Sequence, residues 1–133
     1  MIEGQRILVV DDQQDIREMT ALVLSGAGYR VDAVGSGESA LATLEQDRFD
    51  LVLLDINMPE MDGWETLRLI RCDEELTGVP VVMFSVKGEI RDKVESLQEG
   101  AVDFVTKPFI VDDLIERVGR VLAGTRGATG GAP

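Results

Sequence analysis

The stretch LVLLDINMPEMDG, residues 51–63, decides how this chain folds. Its first four residues are apolar without alternation, which is typical of a strand buried on both faces in a parallel sheet. The run stops at Asp55, which would lie at the carboxyl end of that strand, the edge where open α/β sheets bind their ligands. Met58-Pro59 and Asp62-Gly63 then mark a loop before helical periodicity resumes. The stretch therefore predicts a central strand with an acidic group at its ligand-binding end.

Strand and helix alternate through the rest of the chain. Further strands are predicted at residues 7–10, 29–34, 81–84 and 101–105. Helical periodicity follows each of the five strands, so the connections are crossovers and the sheet should be parallel with helices on both faces. From Gly124 the sequence becomes rich in glycine. We therefore expect a single α/β domain over residues 1–123 and a flexible tail or linker stub over residues 124–133.

Composition excludes several classes of function. Thirteen basic and twenty-five acidic residues give a net charge of −12, which argues against nucleic acid or anionic membrane as partners of this domain. Cys72 is the only cysteine and histidine is absent, which excludes a disulfide, a histidine-based triad and the usual zinc sites. No apolar run reaches membrane-spanning length and no signal peptide is evident, so a cytoplasmic location is expected.

Polar side chains follow four of the predicted strands, at the point where each strand ends. They are Asp11 and Asp12, Asp55, Ser85 and Lys107. The carboxyl ends of parallel strands meet at one edge, so three carboxylates, a hydroxyl and an ammonium should converge there. Two charges 4 Å apart repel by about 1 kcal/mol in water and about 4 kcal/mol at an effective dielectric of 20. Such a cluster requires a cation, and Mg²⁺ is the one that prefers hard oxygen ligands.

This set of groups predicts a site for a phosphoryl group. Mg²⁺ bound by carboxylates keeps water positions that phosphate oxygens can take. Lys107 and Ser85 would add a positive charge and a donor on the other side, where the phosphoryl charge is spread over its oxygens. Asp55 is the best nucleophile of the set, because carboxylates can form covalent aspartyl phosphates.

In order and in spacing, these residues resemble the receiver domain of response regulators in two-component signalling. The resemblance covers roughly residues 6–122 and is carried by Asp11-Asp12, the stretch around Asp55, Ser85 and Lys107-Pro108-Phe109. It implies a flavodoxin-like, doubly wound (βα)5 fold with strand order 2-1-3-4-5. It also implies a phosphorylation switch that accepts a phosphoryl group on Asp55 from a sensor histidine kinase or phosphotransfer protein. Such a domain catalyses its own phosphoryl transfer and dephosphorylation, and is not a conventional enzyme.

The resemblance also assigns roles around the metal. Asp12 and Asp55 would bind Mg²⁺ directly, Asp11 through a water molecule, and Asn57 through its backbone carbonyl.

A second group of assignments concerns the switch. Lys107 would contact the phosphoryl group, and the peptide bond before Pro108 would be cis. Ser85 would move toward the phosphoryl oxygens while Phe104 turns inward. The change would reach the surface formed by the fourth helix, fifth strand and fifth helix, which would control a downstream effector and could support a homodimer.

Other interpretations of the same residues stay open at this point. Taken singly, Asp11 and Asp12 would cap a helix, Lys107 would be a solvated lysine, and Phe104 would be a core residue. Val86 stands where the family commonly has alanine or glycine. Its branched side chain would slow phosphoryl transfer, or would favour an interaction module that is never phosphorylated. A haloacid-dehalogenase-like phosphatase would need an acid where Asn57 stands. A flavin-binding protein would place a phosphate against the doubly acidic turn after the first strand, which would repel it.

Overall fold

Five parallel strands form one sheet at the centre of the molecule. The computed structural model describes residues 4–85, 94–95 and 97–130. The strands are β1 (Arg6–Val10), β2 (Arg30–Val34), β3 (Leu51–Asp55), β4 (Val81–Ser85) and β5 (Asp103–Thr106). Their order is β2-β1-β3-β4-β5, which confirms the predicted doubly wound, flavodoxin-like arrangement.

Helices cover both faces of this sheet. They are α1 (Gln14–Gly26), α2 (Gly37–Gln46), α3 (Gly63–Cys72) and a C-terminal helix (Val111–Gly130), with a short 3-10 helix at Glu74–Leu76. Residues 94–95 and 97–98, between β4 and β5, are also helical and residues 99–100 form a turn, whereas Ile90 of the predicted fourth helix lies outside the described residues. None of the helices in the described ranges combines the length and the apolar character needed to cross a bilayer.

Burial explains why the central strands lack alternation. Every residue of β3 is buried, because helices pack on both sides of the sheet. One side of the core contains Leu44 of α2 and Leu67 of α3, and the other contains Leu24 of α1 and Leu114 of the C-terminal helix. By contrast, β2 lies at an edge of the sheet, and none of its residues is fully buried.

Side-chain caps begin the α-helices α2 and α3. Ser36 accepts a hydrogen bond from the Ser39 amide at 3.0 Å, as its position before α2 predicts. Asp62 does the same for α3, accepting from the Glu65 amide at 3.0 Å. Thr77-Gly78 predicts the end of α3 at that point, and this prediction was wrong: the helix ends at Cys72, because Asp73 caps the following 3-10 turn.

The end of the chain also differs from the sequence-based expectation. The C-terminal helix continues to Gly130, although glycine-rich composition predicted irregular chain from Gly124. No proline stands between Val111 and Gly130, so helical hydrogen bonding can continue, even though each interior glycine costs about 1 kcal/mol relative to alanine. The boundary between a domain and a tail at residue 124 stays a prediction.

Arg71 joins the end of α3 to the turn before β5, and its removal should destabilise the fold. Its guanidinium donates to the carbonyls of Gly100 at 3.0 Å and Thr77 at 3.2 Å. We expect Arg71→Met to lower the free energy of unfolding by about 2 kcal/mol, because the Gly100 carbonyl loses its donor in a partly buried hydrogen bond. Urea denaturation would measure the loss. Arg68→Met is the matched control, since its pair with Glu99 is exposed and should be worth less than about 1 kcal/mol. Equal losses in the two variants would contradict the assignment.

Candidate functional site

The carboxyl edge of the sheet brings the predicted site residues together. Asp55 is the last residue of β3 and lies opposite Phe84 of β4. Ser85, the next residue of β4, lies opposite Thr106 of β5, and Lys107 follows directly. Asp11 follows β1, whose last residue pairs with Leu54 of β3. Parallel register therefore places at one edge groups that are far apart in the sequence.

Three carboxylates at this edge are close enough to share one cation. Asp11, Asp12 and Asp55 each offer an oxygen, and these oxygens lie within 4.8 Å of one another. Asp11 and Asp55 are buried, whereas Asp12 is exposed. Hard carboxylate oxygens, two of them shielded from water, are the donor set that suits Mg²⁺.

Lys107 lies between the two buried acids. Its Nζ is 2.6 Å from Oδ2 of Asp11 and 3.2 Å from Oδ1 of Asp55, and only 7% of the residue is exposed. Neither of these contacts has standard hydrogen-bond geometry, and within the part of the chain that the structure describes no other donor reaches either of these buried oxygens. The lysine offsets part of their charge but leaves acceptor capacity unused. These residues fit a metal ion because their buried oxygens still have acceptor capacity that a cation can use.

Phe84 is a site neighbour that the sequence analysis missed. The Lys107 ammonium lies 5.1 Å from the centroid of its ring, within the range of a cation–π interaction. Phe109 packs against the same ring, with centroids 5.8 Å apart and planes inclined by 35°. Two aromatic rings thus help to hold the Lys107 segment against β4. The available signal was the place of Phe84 directly before Ser85, at the end of a buried strand.

The two adjacent acids after β1 are held very differently. The Asp11 amide donates to Val34 at 3.1 Å, and Oδ1 of its carboxylate accepts from the Gln13 amide at 3.0 Å. For the carboxylate of Asp12, the described part of the chain provides no hydrogen bond comparable to these. Asp11 is therefore a fixed, buried acid, whereas Asp12 is an exposed one.

Burial changes the acidity of Asp55. It raises the pKa of this carboxyl from its ordinary value of 3.8 to about 6, and the negative charge of Asp11 acts in the same direction. The Lys107 ammonium and the backbone amide of Asn57 lower the pKa and offset only part of this rise. Asp55 is thus mainly ionised at neutral pH, the form that can act as a ligand or a nucleophile, but protons compete for it in mildly acidic solution.

Gly63 allows the loop after β3 to fold closely over Asp55. A Cβ atom at this position would lie 2.3 Å from the Asp55 carbonyl oxygen, so any side chain would force the backbone apart. Its amide donates to the carbonyl of Ile56 at 2.9 Å, which closes the loop. Gly63 is therefore required because the start of α3 lies too close to Asp55 to leave room for a side chain.

The remaining predicted residues lie at or below this edge. Phe104 is 5% exposed and belongs to the core cluster that includes Met83 and Ala101. The Lys107-Pro108 peptide bond is cis, as predicted. Val86 lies outside the described residues, so its proposed crowding of the site stays a prediction.

Comparison with known sequences gives the same family as the site. The family model for the response regulator receiver domain matches residues 7–119. The DNA-binding response regulator MtrA of Mycolicibacterium smegmatis is 44% identical over 114 residues, which are 86% of this chain and 49% of that protein. The phosphate regulon transcriptional regulatory protein PhoB of Pseudomonas aeruginosa is 38% identical over 98% of this chain and 57% of its own length. The chain thus spans about half the length of these curated relatives.

Solved structures agree with the sequence comparisons. The chemotaxis response regulator CheY4 of Vibrio cholerae superposes with a TM-score of 0.84 at 33% identity, over 89% of this chain and 98% of that chain. The receiver domain of the Francisella response regulator 1452 gives a TM-score of 0.84 at 29% identity, over 92% of this chain and 99% of that chain. With the family match over residues 7–119 and the acidic edge described above, the chain belongs to the response regulator receiver domains of two-component systems.

Proposed function

We propose that this domain is a phosphorylation-activated switch in the cytoplasm, with Asp55 as the phosphoacceptor. The donor would be a phosphohistidine on a sensor histidine kinase or a phosphotransfer protein. The observation that carries this proposal is the buried pair of Asp11 and Asp55 with the Lys107 ammonium 2.6 Å and 3.2 Å from their oxygens. The strongly acidic net charge of −12 supports a domain that contacts neither nucleic acid nor membrane.

The different anchoring of the acids supports the metal-binding roles that the family resemblance implies for them. Asp12 and Asp55 would bind Mg²⁺ directly, together with the backbone carbonyl of Asn57, while the anchored Asp11 would act through a water molecule. When bound, Mg²⁺ supplies positive charge that neutralises the acids and the phosphoryl oxygens. Lys107 already lies beside Asp55 and would contact the oxygens of the incoming group.

The transfer itself needs only the Asp55 carboxylate as nucleophile. One of its oxygens attacks phosphorus, the bond between phosphorus and the imidazole nitrogen of the donor breaks, and the electron pair stays on that nitrogen. In dephosphorylation, water attacks the phosphorus of the acyl phosphate, the Asp55 carboxylate leaves, and inorganic phosphate is released. The domain therefore acts on its own side chain, accelerating both steps by positioning and charge.

Phosphorylation would be passed to a partner through β5. Phe104 lies in this strand, buried beside Met83, and Ser85 ends the neighbouring strand. The Ser85 hydroxyl would move toward the phosphoryl oxygens while Phe104 turns inward. Exposed apolar residues flank β5, among them Val102, Ile110 and Val111. We infer that this surface contacts a downstream effector or a second copy of the domain.

Mass spectrometry after treatment with acetyl phosphate tests the proposal. With Mg²⁺ present, the intact protein should gain the mass of one phosphoryl group, and treatment with EDTA should prevent the gain. Reduction of the acyl phosphate with borohydride, followed by peptide mapping, should place the label on the peptide that contains Asp55. Labelling that needs no metal, or that maps to another acid, would refute the assignment.

A further inference from the structure

Arg17 of α1 holds the backbone of the acidic turn that follows β1. Its Nη1 donates to the Asp11 carbonyl oxygen at 2.8 Å, and the side chain is partly buried. The guanidinium also lies against Gly35, at the turn after β2, where a Cβ atom would lie 3.0 Å from Nη1 and 4.0 Å from the Asp11 carbonyl. Three segments that are separate in the sequence therefore meet at this one hydrogen bond.

The contact completes the anchoring of Asp11. The amide of this residue bonds to Val34, one carboxylate oxygen accepts from Gln13, and the other lies 2.6 Å from the ammonium of Lys107. Its carbonyl is the remaining polar group, and Arg17 supplies the donor. That carbonyl belongs to the peptide unit that joins Asp11 to Asp12. Because a peptide unit is planar, fixing the oxygen also fixes the direction in which the chain enters Asp12.

We propose that Arg17 is a positioning residue for the metal site: it orients the Asp11–Asp12 peptide and so keeps the Asp12 carboxylate near Asp11 and Asp55. This inference rests on the proposed Mg²⁺ site. Asp12 is exposed and needs such guidance, since a free surface side chain loses conformational entropy when it binds a cation. Groups that orient a metal ligand without touching the metal commonly change affinity by about 10- to 100-fold.

A double-mutant cycle on Mg²⁺ affinity tests this role. Arg17→Gln removes the guanidinium donor and its positive charge. Gly35→Val keeps the charge but fills the space of the guanidinium, because its Cβ would already lie 3.0 Å from Nη1. By calorimetric titration of the metal-free protein, each variant should bind Mg²⁺ about tenfold more weakly, and the double variant no more weakly than Arg17→Gln alone. Gly78→Val is the matched control, since nothing lies within 4 Å of a Cβ there.

Each other outcome overturns the inference. Weaker binding in Arg17→Gln but not in Gly35→Val would mean that the place of the guanidinium beside Gly35 does not set Mg²⁺ affinity, since loss of a positive charge alone would strengthen cation binding. Additive losses in the double variant would mean that the two residues act separately. Unchanged affinity with a lower urea midpoint would leave Arg17 a purely structural residue. Asp12→Ala, titrated in parallel, separates the two proposals: if the unmodified protein binds Mg²⁺ no better than this variant, the proposed metal site itself fails.

Discussion

Asp55→Asn should abolish labelling by acetyl phosphate and raise the free energy of unfolding of the metal-free protein at neutral pH by about 3 kcal/mol. Labelling is lost because the amide cannot form an acyl phosphate. Stability rises because a buried carboxylate beside Asp11 is replaced by a neutral group of nearly the same shape. The two effects have one origin, because the buried carboxylate that lowers stability is also the nucleophile for phosphoryl transfer.

The pH dependence of this effect has a defined sign. The pKa of Asp55 is about 6 in the folded protein, against 3.8 for the ordinary carboxyl, so protonation favours the folded state. The contribution of Asp55 to stability is therefore fully present below about pH 4 and lost as pH rises through about 6. The stabilising effect of Asp55→Asn should be near zero below about pH 4 and grow to its full size at neutral pH.

Urea denaturation at several pH values, with EDTA present, would measure this profile. Asp47→Asn is the matched control, because this acid is exposed at the opposite edge of the sheet and contacts Arg6 only at 3.9 Å. Its effect should stay within about 0.5 kcal/mol at every pH. Equal unfolding free energies of Asp55→Asn and the unmodified protein at neutral pH would show that burial of the charged Asp55 carboxylate does not destabilise the fold.

Lys107→Met should have the opposite effect and lower the free energy of unfolding by about 3 kcal/mol at neutral pH. Methionine can fill the space of the lysine stem but offers no positive charge. Asp11 and Asp55 would then be buried without the ammonium that now lies 2.6 Å and 3.2 Å from their oxygens. Removing one member of a buried charge cluster is costly because the remaining charges stay out of water.

Two further measurements make this prediction specific. The loss should shrink near pH 5, because protonation of Asp55 then relieves the repulsion that Lys107 no longer offsets. It should also shrink when Asp55→Asn is combined with Lys107→Met. Arg120→Met is the control, since its pair with Glu116 on the C-terminal helix is highly exposed. A Lys107→Met protein as stable as the unmodified one at neutral pH would contradict the role given to the lysine.

The ends of the helices were predicted less well from the sequence than their presence. Ser36 was predicted correctly as the cap of α2, because a cap depends on its immediate neighbours. The end of α3 was placed too late, because the 3-10 turn at Glu74–Leu76 continues the helical pattern past Cys72. The C-terminal helix reaches Gly130 although local composition favoured irregular chain. Local propensity is a weak influence, and it decides a boundary only when no other interaction competes.

Residue patterns alone predicted the alternation of strands and helices and identified the acids at the sheet edge. Apolar runs without alternation require burial on both faces, and parallel register then brings Asp55 and the residues after β1 to one edge. Only the tertiary structure distinguished Asp11 from Asp12, placed Lys107 between two carboxylates, and joined Arg17 to the acidic turn. Neighbouring residues of one type carry the same local signal, whereas burial, charge pairing and a shifted pKa depend on atoms contributed by distant segments of the folded chain.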